Sequence, residues 1–176
     1  MSLFKDIKKY IPDNITIPKE LKLLCEWVEK NGYPIGGDLE LFPDKDNILK
    51  EVQGYEKCHD KLGVFGCDGI CNYALWQEGD EPPKVVVIEE FDVIAENFSD
   101  FIRLLAIGYG QLSCADLDIT LEEYNDDNDE DEYYHSVSPK FRNWVTNKLG
   151  LTIPEKGDEI VDTKDRSFDD WVTFYE

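Results

Sequence analysis

Residues 64–105 read VFGCDGICNYALWQEGDEPPKVVVIEEFDVIAENFSDFIRLL. Apolar segments at 62–65 and 73–77 flank the Asp68-Gly69 turn region and read as two strands. A polar turn then reaches Pro82-Pro83 and the run Val85, Val86, Val87, Ile88. Such a continuous β-branched run, placed at 84–90, predicts a central strand covered on both faces. A short strand follows at 93–96. Asn97 caps a helix, Asp100 suits its N-terminal dipole, and Phe98, Phe101, Ile102 and Leu105 form its apolar stripe up to Gly108 or Gly110. Strand, hairpin, strand and amphipathic helix in this order predict an α+β domain, with a mainly antiparallel sheet flanked by helices.

Upstream, Leu3, Phe4 and Ile7 share a helical face that Pro12-Asp13-Asn14 ends. Ile17-Pro18 opens a second helix carrying Leu21, Leu24, Cys25 and Val28, and Asn31-Gly32 stops it. Residues 33–47 read as loop with a short edge strand at 39–42, and 46–57 as a short helix. Downstream, residues 116–132 carry many aspartates and glutamates and no lysine or arginine. A like-charge block this dense predicts a mobile loop. Ser138-Pro139 starts a helix with Phe141, Trp144, Val145 and Leu149 inward. Ser167 caps a last one bearing Phe168, Trp171, Val172 and Tyr175. The chain divides into a core at 1–110 and a helical C-terminal extension at 111–176.

The 176 residues include four Trp, nine Tyr and nine Phe, enough for a real core. Acidic residues number 39 against 18 basic ones, a formal net charge of −21. That surface repels nucleic acid and anionic membranes and attracts cationic partners. The N-terminal stretch lacks the apolar segment of a signal peptide, and no apolar run approaches the ~20 residues of a membrane helix. The expected setting is the cytoplasm, with the five cysteines reduced.

Residues 17–107 resemble the SUKH superfamily, which includes a yeast regulator of cell-wall glucan synthesis and bacterial immunity proteins against polymorphic toxins. The resemblance rests on Ile17-Pro18 before the first helix of that span and Asn31-Gly32 after it. It continues through Phe65, Asp68 and Gly69, the strand start Pro83-Lys84-Val85-Val86, and Ala95-x-x-Phe98-x-x-Phe101. Tyr33-Pro34 stands where that family often has a second glycine, and the segment from residue 111 lies outside the common core. The resemblance implies an α+β fold and a protein-binding, non-enzymatic role. Taken with the acidic charge, it leads to the expectation of an immunity protein that neutralises a cationic, nuclease-like toxin by occlusion, or alternatively of a regulatory scaffold of the cell-wall regulator type.

The residues themselves place a partner surface on the acidic block. Asp126, Asp127, Asp129, Glu130, Asp131 and Glu132 would steer a basic protein, and Tyr124, Tyr133 and Tyr134 would anchor it. The same block could equally be a solvated loop. Tyr73 and Trp76 are an odd number of residues apart, so one is expected in the core and the other exposed as a further contact. Asp127, Asp129 and Asp131 alternate as in a calcium loop, but Glu132 and Ser138 occupy positions that require glycine and a bidentate glutamate. Cys58, His59, Cys67 and Cys71 have wider spacing than paired zinc ligands and read as small apolar fillers. Gly63-x-x-Gly66-x-x-Gly69 lacks the lysine of a phosphate loop. His59 and His135 form no recognisable nucleophile pair in sequence. No cofactor, metal or catalytic residue is assigned.

Overall fold

Five strands form one antiparallel meander: β1 (Glu40–Leu41), β2 (Leu62–Cys67), β3 (Asn72–Trp76), β4 (Lys84–Val87) and β5 (Asp92–Ala95), in that spatial order. The computed structural model describes residues 2–127 and 137–175. The helices are α1 (Leu3–Lys8), α2 (Lys19–Asn31), α3 (Phe98–Ile107), α4 (Leu121–Asp127), α5 (Pro139–Asn143) and α6 (Ser167–Tyr175). The expected α+β class holds. At 46–57 only Ile48–Glu51 is helical, and as a single 3₁₀ segment. The acidic block also differs from expectation: residues 121–127 form α4, with Thr120 Oγ1 accepting from the Glu123 amide and Glu123 accepting from the Thr120 amide. That reciprocal pair is a capping box, and its hydrogen bonds offset local charge repulsion.

Both faces of the sheet are covered because the strand side chains alternate between two cores. Phe65, Tyr73, Leu75, Val85 and Val87 face one core, built with α2 and α3. Leu62, Val64, Ala74, Trp76, Val86, Ile88 and Val93 face the other, closed by Phe168 and Val172 of α6 and by Leu49 and Tyr55. The register shifts between Val64 and Gly66, and again at the β4–β5 pairing. Phe65 and Ile94 are the extra residues skipped at these bulges, and both lie in the α3-side core.

Local chemistry explains the helix boundaries. Asn97 Oδ1 accepts from the Asp100 amide at 3.0 Å, and α3 ends at Gly108 with φ +106, a conformation open to glycine. Ser138 Oγ accepts from the Lys140 amide at the start of α5. That helix runs into a π-helical turn, Trp144–Lys148, where the Leu149 amide donates to the Trp144 carbonyl at 3.1 Å. At α6 the expected Ser167 cap is replaced: Asp165 Oδ1 accepts from the Ser167 amide at 2.8 Å, and Ser167 is already helical.

The segment from residue 111 packs on the sheet and helices rather than apart from them. Trp27 of α2 meets Phe141 at 5.0 Å and Trp144 at 6.2 Å, while Trp76 of β3 meets Phe168 at 5.2 Å. Among the described residues no helix is long and apolar enough to cross a membrane.

Candidate functional site

Among the described residues Asp68 is the most heavily bonded acid, and it lies at the β2–β3 turn. Gly69 takes φ +86, which a side chain rarely adopts, and this lets Asp68 fold over its own turn. Oδ1 accepts from the Ile70 and Cys71 amides at 3.1 and 2.9 Å. Oδ2 accepts from the Tyr73 hydroxyl at 2.6 Å, and from the Ser113 amide and hydroxyl at 3.2 and 2.7 Å. Asp68 is 2% exposed. Burial pushes its carboxyl up, but the donors outweigh burial and hold it below its ordinary value. With every lone pair engaged, Asp68 ties the hairpin to the 112–114 turn and has no acceptor capacity left for a ligand.

Tyr73 and Trp76 do face opposite sides of the sheet, but neither is exposed. Tyr73 is 0% exposed and packs 5.6 Å from Phe101; Trp76 is 1% exposed, between Phe168 and Trp171. The expectation of one exposed contact aromatic is overturned, because α6 covers the second face. The Trp76 side chain also receives the Lys84 ammonium, 5.9 Å from its ring centre.

Of the predicted acidic surface, Asp126 is exposed on α4 and Asp127 ends that helix. Tyr124 is half-buried edge-on to Tyr109, 5.4 Å away, so it is partly committed to the core. Asp129, Glu130, Asp131, Glu132, Tyr133, Tyr134 and His135 lie outside the described residues, as does most of the calcium-loop pattern.

A different group of acids is drawn together by the fold. A cleft of about 280 Å³ is lined by Asp92, Asp116, Asp118, Asp162 and Asp165 over an apolar floor that includes Leu112, Ala115, Leu117 and Val161. Two of these acids are neutralised: Asp165 lies 3.1 Å from Lys84 and Asp92 3.1 Å from Arg166. Among the described residues, the carboxylates of Asp116, Asp118 and Asp162 form no ion pair; the Lys156 ammonium at this rim donates instead to the Asp118 backbone carbonyl at 2.8 Å. The charge of Asp116, and a hydrogen bond with it, push the Asp118 carboxyl above its ordinary value. The walls are joined by the Asp158 amide, which donates to the Leu117 carbonyl at 2.9 Å, and by the Gly157 amide, which donates to the Tyr109 hydroxyl at 3.2 Å. Asp92, Asp162 and Asp165 escaped sequence reasoning, which followed one contiguous block. No local spacing links residues 92, 116 and 162.

The cysteines are scattered across the fold. Cys58 lies in the α6-side core, Cys25 and Cys71 in the α3-side core, Cys67 is half-buried and Cys114 exposed; all five are free thiols. Burial pushes Cys25 up to about 12 and Cys58 and Cys71 up to about 11, so these thiols are neutral and inert. Among the described residues no three His, Cys, Asp or Glu side chains are grouped as metal ligands.

Set against family models, curated proteins and solved structures, the chain matches none.

Proposed function

We propose that this protein acts by binding another protein, as an immunity-type molecule of the SUKH kind that neutralises a cationic toxin by occlusion. The observation that carries this reading is the aspartate cleft, in which, among the described residues, the carboxylates of Asp116, Asp118 and Asp162 form no ion pair above an apolar floor, five acids against the three cations Lys84, Lys156 and Arg166. Its volume of about 280 Å³ falls below the usual ~300–1,000 Å³ of small-molecule pockets. It suits one long cationic side chain. The alkyl stem of a lysine or arginine would lie on Leu112, Leu117 and Val161, with its charged head among the carboxylates. The exposed acids Glu122, Glu123 and Asp126 of α4 extend the negative field and would speed capture. Occlusion forms and breaks no covalent bond: the partner's own basic groups are occupied and its substrate is excluded.

The test is binding to the product of the neighbouring gene, which for an immunity protein is a toxin. Association is expected to be fast at low salt and slower at high salt. The combined Asp116→Asn, Asp118→Asn and Asp162→Asn variant should lose about a hundredfold in affinity. Equal rates at both salts together with unchanged affinity of the variant would sink the proposal.

A further inference from the structure

Against the acidic surface stands one groove of the opposite sign. It runs between α2 and the α5–π-helical segment and is lined by Leu23, Trp27, Lys30, Lys140, Trp144 and Lys148, with Glu26 on its rim. The spacing that builds it is helical. Lys140, Trp144 and Lys148 recur every fourth residue, as do Leu23 and Trp27, so each set forms one ridge. Trp27, Phe141 and Trp144 pack as an aromatic trio beneath, with Phe141 and Trp144 5.5 Å apart. Lys30, Lys140 and Lys148 are exposed, and among the described residues none of them pairs with a carboxylate. The one acid on the rim, Glu26, lies 3.7 Å from Lys22. The π-helical turn that carries Trp144 and Lys148 is a rare element, frequent at functional sites.

In a chain of net charge −21, three uncompensated lysines around an apolar floor specify their occupant by charge complementarity. We infer that this groove docks an acidic, amphipathic segment of a partner protein. Two or three of its carboxylates would meet Lys30, Lys140 and Lys148, and an aliphatic or aromatic anchor would rest on Leu23 and Trp144. A groove between two helices is the geometry in which amphipathic segments are held. Single-stranded nucleic acid fits less well. Its bases need open ring faces to stack on, whereas Trp27 is only 7% exposed and Trp144 is half-buried. A polyanion extending beyond the groove also meets the acidic surface.

The probe is a short synthetic peptide carrying Glu and Leu at helical spacing, titrated against the full chain and followed by tryptophan emission and by anisotropy of a labelled copy. Saturable binding with a Kd below about 100 µM is expected. The Lys30→Gln, Lys140→Gln and Lys148→Gln variant should weaken it at least about tenfold, as should replacing Glu by Gln in the peptide. The substituted lysines are exposed, so the thermal melt should not move. Trp144→Phe keeps an aromatic ring against Phe141 and Trp27 and should weaken the peptide several-fold. The cleft variant carrying Asn at 116, 118 and 162 should keep the peptide while losing the cationic partner, which separates this inference from the proposed function. Absence of peptide binding, or an unchanged Kd in the lysine variant, overturns the inference. So does preferential binding of a single-stranded oligonucleotide, and so does self-association that the lysine variant abolishes, which would place a second copy in the groove.

Discussion

Asp68 and Asp118 are the same residue type in one highly acidic chain, yet the fold sets them to opposite tasks. Asp68 is shut away from water and surrounded by donors from Ile70, Cys71, Tyr73 and Ser113, so its charge is retained and satisfied. Asp118 lies at the surface beside Asp116, and its carboxyl is raised because a like charge is close. The contrast teaches that charge count says little about role. A buried acid with several donors is an internal fastener, whereas clustered acids that outnumber the cations beside them leave unspent field for a partner.

The sharpest way to break the contrast is Asp68→Ala. It would leave the Tyr73 hydroxyl and the turn amides without their acceptor and should cost about 3 kcal/mol of stability, read from denaturant unfolding. Retention of wild-type stability would remove Asp68 from its role as a fastener. Ser113→Ala deletes one of the hydrogen bonds to Oδ2 and keeps the Ser113 amide, so the expected loss is about 1 kcal/mol.

The acid limb of stability separates the two aspartates further. The folded-state value of Asp68 lies below its ordinary 3.8, so the native state binds that proton less readily than the unfolded chain. Its contribution is present above the ordinary value and is lost as pH falls through the folded value. Asp68→Asn should therefore flatten the acid limb of the stability curve below the ordinary value of 3.8. The smallest effect is expected at the cleft. Asp116→Asn should leave the thermal midpoint in place and return the Asp118 carboxyl toward its ordinary value, read by carboxyl-carbon NMR titration. An Asp118 titration that ignores Asp116 would dissolve the cleft as an electrostatic unit.

Much of the architecture was legible in the chain because its signals are local. The run Val85–Val86–Val87–Ile88 does lie in and beside a central strand with both faces buried. Asn97 and Ser138 cap the helices their side chains suit, and the odd spacing of Tyr73 and Trp76 does place them on opposite faces. Period, cap and turn chemistry are properties of a few neighbouring residues, and the backbone obeys them wherever the chain later packs.

What the tertiary structure alone decided is where water is excluded. Trp76 could not be recognised as core from its own strand, because its cover is α6, more than ninety residues on. The cleft joins residues from β5, from the turn after α3 and from the stretch before α6, and the lysine groove needs α2 and α5 side by side. Burial and field depend on which distant segments meet. That outcome is settled by the combined packing of both cores and leaves no mark in the spacing of any one segment.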